Sequence, residues 1–377
     1  MSRRASMLGV VAGAALLIGG CGDSEESGDS GAGASGGGDA AAFTEKANKT
    51  ATEAASEIKP TVPTEGPKAQ PDKTIVTIPC SAAAQGCKIA VDWFKRAADD
   101  IGWKTVQIDP AGDPNKMADA VNRAVSIKAD GIFTVAIDAA TIQAPLKKAK
   151  QSGLKATCFS CVDEGDLLVD ILPAEEQHET DGYNLAAQAY VENDGKLRMI
   201  LLRDNEFGNT RGREEGVLKF MEECKQAGGD CEVLKEQNVL IQNINTSVPQ
   251  QTVSTARQHP DWNALVAPYD AILTTVVPAL KEAGLTGENK RVYGFDPIDI
   301  NVDWIRNSDV ESATVASPYR WIAYAAVDQL NRAFAGEKAV DQGIKDKLIT
   351  KENAPPEGET YLDDGDPSAE FKRIWGG

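Results

Sequence analysis

Cysteine is the residue type in this chain whose spacing points most directly to chemistry. Seven are present. Six fall into close pairs: Cys80 with Cys87, Cys158 with Cys161, and Cys224 with Cys231. Outside the cytoplasm such pairs become disulfides. Cys158-x-x-Cys161 joined by Cys80 and Cys87 could instead offer four thiolates to a tetrahedral zinc ion. No second sharply spaced CxxC is present, however, and pairing across Cys80/Cys87 and Cys158/Cys161 also stays open. Disulfides are therefore expected, with no metal and no cofactor. The chain has two histidines. His178 lies in the acidic run Glu175-Glu176-Gln177-His178-Glu179 and reads as part of a solvated helix start, while His259 sits in a loop before Pro260. The Gly-rich run near Gly36 follows no strand, so its Gly33-Ala34-Ser35-Gly36-Gly37 makes no G-x-S-x-G elbow, and there is no P-loop and no H-E-x-x-H helix. Asp363-Asp364-Gly365-Asp366 lacks the spacing of an EF-hand loop. No enzymatic activity is expected.

The N-terminus explains the seventh cysteine. Arg3 and Arg4 precede an apolar run over residues 7–18, the charged and hydrophobic regions of a secretory signal peptide. The run is short of the ~20 apolar residues a spanning helix needs. It ends in Ile18-Gly19-Gly20-Cys21, which resembles the lipobox of bacterial lipoproteins. The resemblance implies that Cys21 carries diacylglycerol and becomes the mature N-terminus. Residues 22–72 are rich in Gly, Ser, Ala, Asp, Glu and Pro and carry few large apolar side chains. Such a segment buries too little surface to offset its ordering entropy, so a disordered tether over residues 21–72 is expected.

About 300 residues remain for the body, enough for two lobes. The net charge of −18 and pI near 4.7 argue against nucleic acid, whose phosphates need a basic patch. From Lys73 onward short apolar runs alternate with amphipathic stretches. Strands are expected at residues 75–78, 105–108, 131–136, 156–159 and 168–172, then at 199–202, near 233, and at 264–267, 292–295 and 313–315. Helices are expected between them, with a last strong one carrying Ala323, Ala326, Val327, Leu330 and Phe334. Strand–helix alternation implies parallel sheets with right-handed crossovers. Two successive sets imply an α/β protein of two doubly wound lobes, with any ligand beyond the carboxyl ends of the strands.

Particular stretches sharpen this. Asp99-Asp100-Ile101-Gly102-Trp103-Lys104, Asp109-Pro110-Ala111-Gly112-Asp113-Pro114 and Ala129-Asp130-Gly131-Ile132 come first. Gly294-Phe295-Asp296 and Ala313-Thr314-Val315-Ala316-Ser317-Pro318 follow. In order and spacing they resemble type I periplasmic binding proteins of ABC importers, the ribose-, xylose- and autoinducer-binding group in particular. The resemblance spans residues 73–348. It implies two lobes joined by three hinge strands, a first lobe of residues 73–173 plus 318–346, and a second of 174–317 plus 347–377. It also implies a monomer that captures a small polar, sugar-like solute and passes it to an ABC permease. The alternatives are a sensor whose closed form meets a membrane receptor and a transporter component for a non-sugar metabolite.

Carried over by position, the resemblance places Ser81, Gln85 and Ser160 on the first-lobe side of the cleft. It places Arg211, Asn243, Tyr269, Asp270, Asp296 and Ser317 on the other side or at the hinge. Arg211 and Asp296 suit a polyhydroxylated ligand, one offering a fork of donors and the other accepting from adjacent hydroxyls. The plainer readings are a solvated helix residue for Arg211, a helix N-cap for Asp296 and a helix start for Tyr269 and Asp270. The loop from Cys80 to Cys87 lacks the aromatic residues the family stacks on a sugar, and Trp321 could approach the cleft from beyond the hinge.

Overall fold

The computed structural model describes residues 36–163, 165–357 and 363–376, so the leader and Cys21 lie outside the described residues. The elements run α1 (Gly36–Ala55), β1 (Thr74–Pro79), α2 (Gln85–Asp100), β2 (Lys104–Gln107), α3 (Pro114–Ser126), β3 (Gly131–Val135), α4 (Gln143–Gln151), β4 (Lys155–Phe159) and β5 (Asp170–Leu172). A second series follows: α5 (Glu175–Glu192), β6 (Lys196–Arg203), α6 (Gly208–Gln226), β7 (Asp230–Asn238), α7 (Val248–Gln258), β8 (Ala264–Val266), α8 (Asp270–Glu282), β9 (Arg291–Phe295), α9 (Asp299–Arg306) and β10 (Glu311–Ala316). The chain closes with α10 (Tyr319–Phe334), β11 (Lys347–Ile349) and α11 (Pro367–Trp375).

The strands form two sheets, ordered β2-β1-β3-β4-β5 and β11-β10-β9-β8-β6-β7. All pairings are parallel except β11 on β10. The central strands are buried along their length, as a sheet covered by helices on both faces requires. In the first lobe Phe94 of α2 stacks on Phe133 of β3 with ring centroids 4.1 Å apart. In the second, Phe220 of α6 meets Tyr183 and Tyr190 of α5 edge-on. The expected two-lobed α/β architecture is the one observed.

The chain passes between the lobes at Pro173–Ala174, at Ser317–Pro318, and again between α10 and β11, since α10 packs on α2 while β11 joins the second sheet. Two further passages were not expected. Residues 36–72 are no disordered tether, because α1 lies on α5 and β11. Phe43, Ala47 and Ala51 recur every fourth residue and are buried, with Phe43 edge-on to Tyr190 at 5.5 Å. Small residues thus make an apolar stripe that an inspection for large ones passes over. The following segment is fastened to the first lobe. Gln70 N–H donates to Asn331 Oδ1 (2.9 Å), the Arg332 guanidinium to Glu65 O (2.8 Å), and the Trp103 indole to Gln70 O (2.7 Å).

The second correction concerns the C-terminus. α11 buries Phe371, Ile374 and Trp375 in the first-lobe core beside Tyr324, so residues 367–375 do not belong to the second lobe. The six paired cysteines are joined as Cys80–Cys87, Cys158–Cys161 and Cys224–Cys231. No cluster of metal-ligating side chains and no helix long and apolar enough to cross a membrane occurs among the described residues.

Candidate functional site

A cavity of about 720 Å³ opens between the lobes, lined by the loops that follow the strands. From the first lobe come Ser81 after β1, Gln85 at the start of α2, and Ser160 after β4. The Cys80–Cys87 bond closes the Ser81 loop into a ring at the rim. Ser160 has φ 56°, so the chain turns sharply at the end of β4. From the second lobe come Phe207, Tyr269 and Asp296 after β6, β8 and β9, with Gln242 and Asn245 after β7. Tyr319 enters from the hinge and packs edge-on against Phe159, 5.5 Å away.

Asp296 is the charged centre of this surface. Its φ is 61°, in the left-handed region that Asp tolerates better than most residues. It is not a helix cap, because Ile298 occupies that position for α9. Arg213 grips it with two bonds, Nη1 to Oδ2 at 2.7 Å and Nη2 to Oδ1 at 2.9 Å. Nη1 also donates to Pro268 O, and the guanidinium lies 4.6 Å over the Phe295 ring. Burial alone would lower the Arg213 pKa, but Asp296, Asp181 and Asp346 outweigh it and hold the group charged. Asp296 therefore presents fixed oxygens to the cavity, each with a lone pair to spare.

Tyr269 donates to Asp204 Oδ2 at 2.9 Å. Burial pushes the Asp204 carboxyl up to about 6, and burial with the Asp204 charge raises the Tyr269 phenol. Behind Arg213 lie two more acids. Asp181 of α5 and Asp346 before β11 are fully buried, and burial followed by mutual repulsion raises Asp181 well above the carboxylate range. Burial raises Asp346 too.

Five of the nine expected ligand residues line the cavity: Ser81, Gln85, Ser160, Tyr269 and Asp296. The other four lie outside its lining. Arg211 reaches over the mouth to Asp138 Oδ2 of the first lobe at 3.1 Å and does not line the cavity. Asn243 is held in a short 3-10 turn and leaves Gln242 and Asn245 as the lining residues there. Asp270 opens α8 after Tyr269 at the cap, and its buried carboxyl accepts from Thr314 Oγ1 at 2.7 Å. Ser317 donates to Asp346 inside the hinge at 3.0 Å. His178 is buried rather than solvated. Burial and then Arg213 push it down to about 3, so it is neutral. Trp321 donates to Asp364 O and packs on Phe371, away from the cleft.

Arg213 was missed although the pattern carried it. Arg213, Val217, Phe220, Met221 and Cys224 share the buried stripe of α6, whereas Arg211 falls outside it. Phe159, Phe207 and Tyr319 supply the aromatic surface that the Cys80–Cys87 loop lacks. A second cavity of about 610 Å³, bordered by Lys281, Lys290, Arg291 and Asp309, lies on the second lobe and shares no residue with this one. The strand ends and the inter-lobe position favour the first as the site.

The mouth is shut. Besides the Arg211–Asp138 pair, Asn209 Nδ2 donates to Ser160 Oγ across the gap at 2.9 Å. Gly208 packs so closely on Val162 and Asp138 that a methyl group would not fit.

Comparison with known proteins agrees with this geometry. Residues 75–338 match the family model described as a periplasmic binding protein domain. An ABC sugar transporter subunit from Rhodobacter sphaeroides superposes with TM-score 0.65 at 18% identity, covering 74% of this chain and 99% of its own. The 5-methylthioribose transporter solute-binding protein of Thermotoga lettingae, in complex with that ligand, gives 0.67 at 15% over 83% and 99%. An Agrobacterium vitis solute-binding protein with bound allitol gives 0.65 at 15% over 75% and 97%. No curated protein matches the chain in sequence. α1, β11 and α11 lie outside the matched residues. With the family model spanning 264 of 377 residues, the first sheet, the second but for β11, and the cleft between them, the chain belongs to the periplasmic binding protein family.

Proposed function

We propose that this protein is an extracytoplasmic solute-binding lipoprotein, which captures a small polar, sugar-like ligand between its lobes and delivers it to an ABC permease. The observation that carries the reading is the inter-lobe cavity at the strand ends, with Asp296 held rigid at its centre by Arg213. A carboxylate so held accepts hydrogen bonds from adjacent hydroxyls without losing side-chain freedom of its own. Gln85, Gln242 and Asn245 add amide donors and acceptors on both walls. Structures of the same fold hold allitol, D-allose and 5-methylthioribose. The leader and the Cys21 lipobox support export and anchoring. The family supports a transport role without catalysis, and a monomer is sufficient because one chain supplies both walls.

The test is a thermal-shift screen of the chain from residue 22, without leader and Cys21, against pentoses, hexoses, polyols, furanones and amino acids. Ligand at a hundredfold excess over its dissociation constant adds ~2.7 kcal/mol of stability. A sugar or polyol hit is expected. A response confined to amino acids would overturn the sugar assignment. For the anchor, Cys21→Ser should release the protein from the membrane fraction, and retention of the variant there would refute lipidation.

A further inference from the structure

Resting on that reading of the cleft, we infer that Asp204 is a positioning residue for the ligand: it stays outside the cavity, and its carboxylate sets the second-lobe wall by holding Tyr269 and the loop after β6. Its placement is the first observation. Asp204 follows β6 directly, is 1% exposed and does not line the cavity. Oδ2 accepts from Tyr269 Oη at 2.9 Å, and Oδ1 accepts from Glu206 N–H at 2.9 Å. Its backbone carbonyl accepts from Thr210 Oγ1. Glu206 in turn accepts from Ile241 N–H at 2.8 Å, fastening the turn that carries Gln242. Tyr269, Glu206, Thr210, Ile241 and Gln242 all line the cavity. One buried carboxylate thus ties together wall segments that follow β6, β7 and β8.

The second observation is that this carboxylate has no counter-ion. Among the described residues no cation forms a salt bridge with it. On the adjoining elements Arg203 pairs with Glu214 and Glu236, Arg211 with Asp138, and Arg213 with Asp296. Asp270, next to Tyr269, accepts from Thr314 instead. The titratable groups that face Asp204 are Glu206 and Tyr269, and neither supplies positive charge. A buried, unpaired carboxylate costs stability. Stability alone would favour an uncharged residue here, and binding sites are where proteins retain such costs.

Affinity and stability then depend on pH with opposite signs. Burial lifts the Asp204 carboxyl from 3.8 to about 6. Between those values the native chain holds a proton that the unfolded chain has released, so the stability cost of the ionised form builds as pH rises and is full above about 6. The wall behaves the other way. A proton on Asp204 takes away an acceptor that Tyr269 or Glu206 uses, so affinity is full above about pH 6 and falls below it.

The experiment is calorimetric titration of the chain from residue 22, without leader and Cys21, with D-ribose, D-xylose, D-glucose, D-galactose, D-allose and allitol from pH 5 to 8. Melting temperatures are taken along the same series. The affinity of the tightest of these probes should fall about three- to tenfold toward pH 5, the scale of one hydrogen bond. Asp204→Asn, uncharged and of the same shape, should bind at the parent's pH 5 level throughout, with a melting temperature at pH 7.5 no lower than the parent's. Glu206→Gln should keep a profile of the parent's sign, which assigns the titration to Asp204. A flat parent profile, or one that survives Asp204→Asn, overturns the inference while leaving the binding reading in place. So does an Asp204→Asn protein whose melting temperature falls together with its affinity, because that is a structural role alone. If all six probes are silent, the same comparison is read from the rise in melting temperature that a small-molecule cell extract gives parent and variant at pH 5 and 7.5. An extract without effect on the parent overturns the binding reading and the inference together.

Discussion

Asp296 serves two masters, and substitution can separate them. Its carboxylate faces the cavity, and it is also the counter-ion of Arg213, whose side chain is 2% exposed. Asp296→Ala should therefore weaken ligand binding by roughly ten- to a hundredfold, the scale of one charged hydrogen bond. It should also strand a buried cation, at a cost of about 3–5 kcal/mol. Adding Arg213→Met removes that cation and should recover most of the melting temperature but none of the affinity. Scanning calorimetry and titration of the three proteins check this, and a double variant that regains binding would remove Asp296 from the ligand site. Asp296, Tyr269, Ser81, Gln85 and Ser160 fall on the cavity because the short loops that carry them sit at strand ends. Arg211 lies outside that lining, and the helical stripe through Val217 and Phe220 singles out Arg213 two residues on as the partner of Asp296. Ser317 and Asp270 were legible as polar residues near the site. That they point into the hinge and the second-lobe core depends on Asp346 and Thr314, partners distant in sequence.

At the scale of elements, α5 and α6 form a glycine-mediated crossing that the alternating pattern does not reveal. Cβ atoms built on Gly182 and Gly216 would run into the backbone carbonyls of Arg213 and Glu179. Because backbone stands in the way, no side-chain rotation relieves the clash. Gly216→Ala should cost about 1–3 kcal/mol, as overpacking does. It should also tilt the helix that carries Arg213, so thermal stability and affinity fall together. An unchanged melting temperature would mean the helices part freely. A second element-level device lies between α8, α9 and β10. Glu311 and Asp270 face one another, with Asn301 Nδ2 donating to Glu311 at 2.7 Å and Thr314 to Asp270. Asp270 Oδ1 and Glu311 Oε1 have no other partner, the arrangement of two acids sharing a proton. Burial holds Glu311 up at about 8. The native state thus keeps a proton that the unfolded chain releases near pH 4.5, so this contribution to stability is full below that pH. It is lost progressively as pH rises to about 8. Denaturant melts from pH 5 to 8.5 should show this fall, and Glu311→Gln should flatten it. An equal slope in the variant would assign the fall to other acids. The strands and main helices were legible because apolar runs and stripes are local. α1 was not, since its Ala-rich stripe gains meaning only from the Tyr190 surface it covers, and α11 was not, since the Tyr324 surface that Phe371 and Trp375 cover is distant in sequence.

For the whole molecule, the question is what biases the lobes toward closure. A ligand shifts that equilibrium only through contacts better made in one state. Contacts between the lobes themselves set the balance from which it starts. Arg211–Asp138 and Asn209–Ser160 join residues of opposite lobes at the mouth, so hinge opening must break them, whereas Arg213–Asp296 lies within one lobe. Arg211 is 44% exposed, and exposed pairs contribute about 0.2–1 kcal/mol, or up to about fivefold in affinity. Neither residue of the pair needs to touch ligand for this to hold. Arg211→Asp and Asp138→Arg should each weaken the tightest-binding sugar derivative severalfold, chiefly by speeding its release. Together they should restore affinity, because the pair is rebuilt with its charges exchanged. High salt should narrow the difference between single variants and parent. Gly208→Val tests the same mouth by volume: with Val162 and Asp138 already against the glycine, the branched side chain would hold the lobes apart. It should cost more affinity than either charge variant, and small-angle scattering should show the ligand-saturated protein expanded relative to the parent. If the exchanged pair fails to recover and Gly208→Val binds normally, closure is governed by the ligand and the hinge alone, and Arg211 returns to the candidates for direct ligand contact.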